Sequence, residues 1–252
     1  MKMTRKLIPA IAMLLISAVM MSTASFAWFS MNTTVSATGM QIEAKSDQTF
    51  LIISASKTTA GEIQAEYAAN KKLSVQAAAA ANTTVYPAAL KEGEGISTNE
   101  NNIKFQYAVG TDYSNGAAKD GYTEVTTLTD YVVKYTFYLT VAADAVPASD
   151  IVVKGLTITG DEAVAVVVTT DYALVEFQDS LAQDTEDDTI LSSGLHAGTE
   201  NAGKLTDEDV LAVHVYVFID GDHSSVTTAN ATNLNGATVE ITFGVKNATQ
   251  QG

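Results

Sequence analysis

The chain has 252 residues, 46% hydrophobic and 17% charged, enough apolar material for one large domain or two small ones and too much for wholesale disorder. A formal charge of −15, with Arg5 the sole arginine, argues against nucleic acid as a partner, because phosphate recognition needs a basic face; an anionic bilayer surface would also repel the chain. With no cysteine there is no disulfide stapling, thiol catalysis, lipid attachment at a leader cysteine or thiolate metal site, so stability must come from apolar burial and sheet pairing.

The first stretch reads as an export signal that opens with a signal helix. Lys2, Arg5 and Lys6 precede an apolar run from Leu7 to Met21, and the small residues Ser25 and Ala27 stand at −3 and −1 of a cleavage site before Trp28. About 20 apolar residues would also span a bilayer, so a retained anchor is the alternative and the one route to a membrane. Cleavage after Ala27 removes three cations and no acid, leaving −15 − 3 = −18. The exported chain then begins with an alternating strand in which Phe29, Met31, Val35 and Ala37 share one side, with Thr33 as the polar exception. Gly39 interrupts it before Met40, Ile42 and Ala44 start a second alternation.

From there the pattern is mostly strand. Thr49–Ile53 fits a buried strand, whereas residues 60–82, rich in Ala, Glu, Gln and Lys, predict a helical insertion closed by Tyr86-Pro87. Residues 91–102 read as a loop, Ile103–Val109 as a strand, and Asn115-Gly116 as a turn. Asp130–Val141 alternates most clearly: Tyr131, Val133, Tyr135, Phe137, Leu139 and Val141 line one face, and Val132, Lys134, Thr136, Tyr138 and Thr140 a partly exposed one. Ile151–Thr159 and Ala163–Thr170 suggest a hairpin about Gly160-Asp161. Residues 179–209 form an acidic excursion that Leu181, Ile190 and Leu191 would pin, and strands follow at Val210–Asp220 and Ala237–Val245. Seven to ten strands with one helical insert and no βαβ rhythm predict an all-β, antiparallel β-sandwich over residues 39–252.

Chemistry-bearing motifs are sparse. Of His196, His214 and His223, His214 sits within strand alternation and reads as a paired strand residue; no serine elbow, zinc-binding histidine pair or phosphate loop occurs. Catalytic residues, cofactor and metal are therefore none. Asp220-Gly221-Asp222-His223-Ser224 could be a calcium loop but lacks EF-hand spacing, which favours an acidic turn. Sequons begin at Asn32, Asn82, Asn230 and Asn247.

The leader ending Ser25-Phe26-Ala27-Trp28-Phe29-Ser30 and the closing segment Val239–Gln250, which runs into Ala-Thr-Gln, resemble the TasA/camelysin family. The resemblance covers about the first forty residues and the last dozen. It implies a SipW-type signal peptidase as processing partner and a jelly-roll-like sandwich that polymerises into extracellular biofilm fibres, the amino-terminal strand of one subunit completing a sheet of the next.

The residues allow the same mechanism. A strand over 28–38 freed at its amino end can pair with a sheet edge of another copy, with Trp28, Phe29, Met31 and Val35 entering pockets and Gly39 as hinge. Donor and acceptor are different surfaces, so the contact does not close and an open filament follows, built from copies of this chain or with a related fibre subunit. The expectation is a secreted, non-enzymatic fibre protein at the cell surface. A membrane-anchored or secreted monomeric surface sandwich that binds glycan or another ligand stays open beside it, as do a secreted monomer with residues 28–37 folded back as its own first strand and, on the enzyme side, a hydrolytic sandwich.

Overall fold

Two stacked sheets enclose the main core, and a smaller third layer covers part of one of them. The computed structural model describes residues 35–36, 41–46, 51–70, 74–78, 84–91, 103–108, 113–114, 117–118, 122–181, 187–223, 226 and 237–246. The leader, Ser25, Ala27, Trp28, Phe29, Met31 and Gly39 lie outside them, as do the four sequon asparagines.

In chain order the elements begin with β1 (Val35–Ser36), β2 (Gln41–Ser46), β3 (Leu51–Ser54), helix α1 (Ala60–Asn70), β4 (Ser74–Ala78), β5 (Thr84–Val85), β6 (Ala89–Leu90) and β7 (Phe105–Ala108). Then come β8 (Tyr113–Ser114), β9 (Ala117–Ala118), β10 (Tyr122–Glu124), β11 (Val132–Val141), β12 (Ala148–Ser149) and β13 (Ile151–Thr159). β14 (Val164–Thr169), β15 (Leu174–Phe177), β16 (Lys204–Leu205), β17 (Leu211–Ile219) and β18 (Thr238–Val245) complete the order.

The larger sheet runs β15-β14-β17-β11-β3 and the opposing one β13-β18-β2-β4. Their facing side chains form one core: Val133, Tyr135, Phe137, Leu139 and Val141 of β11 with Val213, Val215 and Val217 of β17, against Ile151, Val153, Val239, Ile241 and Phe243. These are alternate residues, as the pleat requires. The architecture is thus an all-β sandwich with a single α-helix among the described residues.

The sequence-based expectations need correction in four places. The pairing is antiparallel except that β2 runs parallel to β18, with Gln41 opposite Thr238 and Ser46 opposite Phe243. Almost the whole domain connects these two strands, so no short turn dictates their relative direction. The helical insertion expected over 60–82 is helix only to Asn70. Thr59 starts it, its Oγ1 donating to Glu62 Oε2 at 2.7 Å, and Ile63 is the side chain it buries deepest. Beyond it, Ser74–Ala78 pairs with β2 and sets Val75 and Ala77 against the core, so period-two burial prevails over helix propensity.

The hairpin expected over 151–170 is instead an arch between sheets. β13 pairs with β18, while β14 pairs with β15 and β17. Gly160 makes the crossing at φ +122°, where a Cβ would stand 3.0 Å from the Ala237 backbone. Both strands carry apolar runs that serve the same core from opposite sides.

The second face of β11 is partly exposed, as expected, with Lys134 exposed and Thr136 and Tyr138 half-buried; the last correction is to Tyr131, at the covered end of that face. A small sheet ordered β10-β7-β6 lies over the outer face of the large one, and Phe105, Leu90 and Ala88 join Val132, Ala165, Val167, Tyr216 and Phe218 in a second core. Phe105 meets Phe218 edge-on at 5.0 Å. Tyr131 belongs to this second cluster rather than the first, stacking on Tyr107 at 5.4 Å. Strand β14 is therefore buried on both faces, which is why Val164–Thr169 shows no polar alternation.

The acidic excursion over 179–209 closes the β13 edge. Val153 and Ile151 carbonyls accept from Asp187 and Leu191 amides at 3.0 and 2.7 Å, and the Ile158 amide donates to Ser180 Oγ at 2.9 Å. Leu191 is fully buried, whereas Leu181 and Ile190 are partly so.

Candidate functional site

Two places carry the functional expectations: the edges of the four-stranded sheet, and a polar cleft beneath the small layer. Of the assembly residues only Val35 falls among those described. Its backbone pairs with Val85, and Ser36 with Thr84, in the same subunit. The four-stranded sheet has two outer strands. β13 is covered by the excursion just described, but among the described residues no strand lies beyond β4. Val75 and Ala77 of β4 pack on the core while staying only partly buried.

The cleft is built where β17 ends. Asp220 follows Ile219, and its amide donates to the Ala163 carbonyl at 2.7 Å, while Gly221 donates to Ala88 at 3.0 Å, so the turn is tied to β6 and to the start of β14. These bonds draw the Asp220 side chain in until 5% of the residue is exposed. One carboxylate oxygen, Oδ1, accepts from the Asp222 amide at 2.9 Å. The other has no hydrogen-bond partner among the described residues. Burial raises the Asp220 carboxyl above its ordinary value; the Asp222 amide opposes that rise and the Asp222 charge adds to it.

Asp222 Oδ1 accepts from the Tyr122 hydroxyl at 3.0 Å, fixing β10 over the turn. Burial, that hydrogen bond and the Asp222 and Asp220 charges raise the Tyr122 phenol. With Gln106, Glu176 and Gln178 as further polar walls and Ala89 and Leu90 as apolar ones, the cleft encloses about 240 Å³. Beside it, Glu124 is held by Lys104 at 2.9 Å and Lys91 at 3.0 Å, which pins the small layer together.

The acidic turn was visible in the sequence; the rest of the cleft was not. Tyr122, Gln106, Glu176 and Gln178 come from three separate strand regions, and only the pairing of β10 with β7 and of β15 with β14 assembles them. Among the described residues no three His, Cys, Asp or Glu side chains gather as a metal-holding group. The three histidines occupy separate places. His214, 7% exposed, has Nδ1 2.9 Å from Thr136 Oγ1. His196 Nε2 lies 2.8 Å from Asp209 Oδ2, and the His223 amide donates to the Asp220 carbonyl.

Among the described residues no helix is long and apolar enough to cross a membrane. Compared with protein-family models, with curated proteins and with solved structures, the chain matches none significantly.

Proposed function

We propose that this chain is a secreted structural subunit, a jelly-roll-like sandwich that assembles into extracellular fibres by donation of its amino-terminal strand, residues 28–38. The observation that carries the reading is the β4 edge, beyond which no strand lies among the described residues, with Val75 and Ala77 half-covered over the main core. A strand laid there by a neighbouring copy gains main-chain pairing and completes the apolar cover in one step. Trp28, Phe29, Met31 and Val35 are the side chains that would do so. Among the described residues of the donor region, Val35 pairs with Val85 and Ser36 with Thr84 of the same chain, a pairing that donation would exchange for one with a neighbouring copy.

Negative-stain microscopy of protein beginning at Trp28, beside a version lacking residues 28–38, tests the reading. Filaments from the first and particles from the second are expected. Particles from both would overturn self-assembly by this strand.

A further inference from the structure

We propose that the cleft formed by β10, the end of β15 and the turn after β17 binds an amine-bearing sugar, Asp220 and Asp222 receiving the ammonium and Gln106 and Gln178 the ring hydroxyls. The inference is independent of fibre assembly.

It rests first on one carboxylate oxygen that has no hydrogen-bond partner among the described residues. The Asp220 carboxylate is 5% exposed and one of its oxygens accepts no hydrogen bond from the described residues, while the side chain lines an open cleft. Burying such an acceptor is costly unless a ligand satisfies it. Asp220 and Asp222 line the same space, and a cationic donor would satisfy the open Asp220 oxygen and both carboxylates at once.

Volume and lining then narrow its chemistry. At about 240 Å³ the cleft is many times the ~30 Å³ share of one water and lies below the about 300–1,000 Å³ of drug-sized pockets. A bare metal ion would leave most of it unfilled, and the acids do not gather as a metal-holding group among the described residues. A lysine ammonium would satisfy the carboxylates but leave the amides idle. Gln106 and Gln178 each offer donor and acceptor together, which is what vicinal hydroxyls need. Tyr122, 40% exposed at the rim, supplies a flat apolar wall of the kind a sugar ring rests on.

The test is calorimetric titration of the chain beginning at Trp28 with glucosamine, N-acetylglucosamine, glucose and calcium chloride, repeated on Asp220→Asn and Tyr122→Ala. Glucosamine is expected to bind at least tenfold more tightly than the acetylated or amine-free sugar, and both variants to weaken it at least tenfold. Asparagine keeps the oxygen that accepts from the Asp222 amide and removes a buried charge, so Asp220→Asn is also expected to melt higher at pH 7. A carboxylate that only shapes the turn gives no binding and an unchanged or lower melting temperature. Equal affinity for glucose and glucosamine, calcium binding tighter than glucosamine, or unchanged affinity in both variants would each overturn the proposal.

Discussion

At the scale of single residues, one carboxylate cross-links the later part of the excursion over 179–209. Asp209 Oδ2 lies 2.8 Å from His196 Nε2, accepts from the Thr206 amide at 2.9 Å and is also bonded by the Thr206 hydroxyl. Burial alone would raise its carboxyl, but the hydrogen bonds from His196 and Thr206 outweigh burial and hold it below the ordinary value. A carboxylate whose folded pKa is depressed stabilises the fold above its unfolded pKa, about 3.9, and loses that contribution as pH falls through the lower folded value. Asp209→Asn is therefore expected to cost about 1 kcal/mol at pH 6 and to flatten the fall in melting temperature between pH 5 and pH 2, read by thermal melts across that range. An unchanged acid limb would show that this carboxylate does not anchor the loop. Gly160 is constrained in a different way: φ +122° and the nearby Ala237 backbone together leave room for glycine there and for little else.

At the scale of elements, alternation made the sandwich legible. Val132–Val141, Leu211–Ile219 and Thr238–Val245 all stand within two residues of their expected bounds, because each has at least one face committed to burial. Residues 74–78 were not legible, since alanine and glutamine favour helix in isolation and only the partner β2 makes a strand worthwhile. Nor was the arch at Gly160, because two apolar strands joined by a glycine turn look alike whether they pair or face one another across a core. The cleft was readable only at Asp220 and Asp222; Tyr122 and Gln178 sit in unremarkable strand ends and acquire a role from the third layer. The proposed fibre assembly places a prediction on β4. Val75→Lys puts a charge on the half-covered inward side of that edge strand, and natural edges use inward charges to prevent pairing. Under conditions where the unaltered protein forms filaments, this variant is expected to give particles, with an unchanged circular dichroism spectrum and a melting temperature a few degrees lower. Filaments of normal length from Val75→Lys would show that the acceptor edge is elsewhere.

At the scale of the whole molecule, charge and topology act together. A net −18 beyond Ala27 makes subunits repel one another, and that repulsion is screened over about 10 Å at 0.1 M salt. Filament growth followed by light scattering is expected to accelerate from 10 mM to 300 mM salt and again on acidification towards pH 5; growth indifferent to salt would remove the electrostatic brake. The place of β18 has a further consequence, one of timing. It lies between β13 and β2, so until Thr238–Val245 is available those two strands have nothing to join them, and the four-stranded sheet exists only in pieces. Its pairing of Thr238 with Gln41 spans nearly the length of the domain, a long-range contact of the kind that slows folding. A nascent chain is thus kept from completing its sandwich until that late segment emerges, which on the export route proposed above would keep it unfolded for passage through a channel.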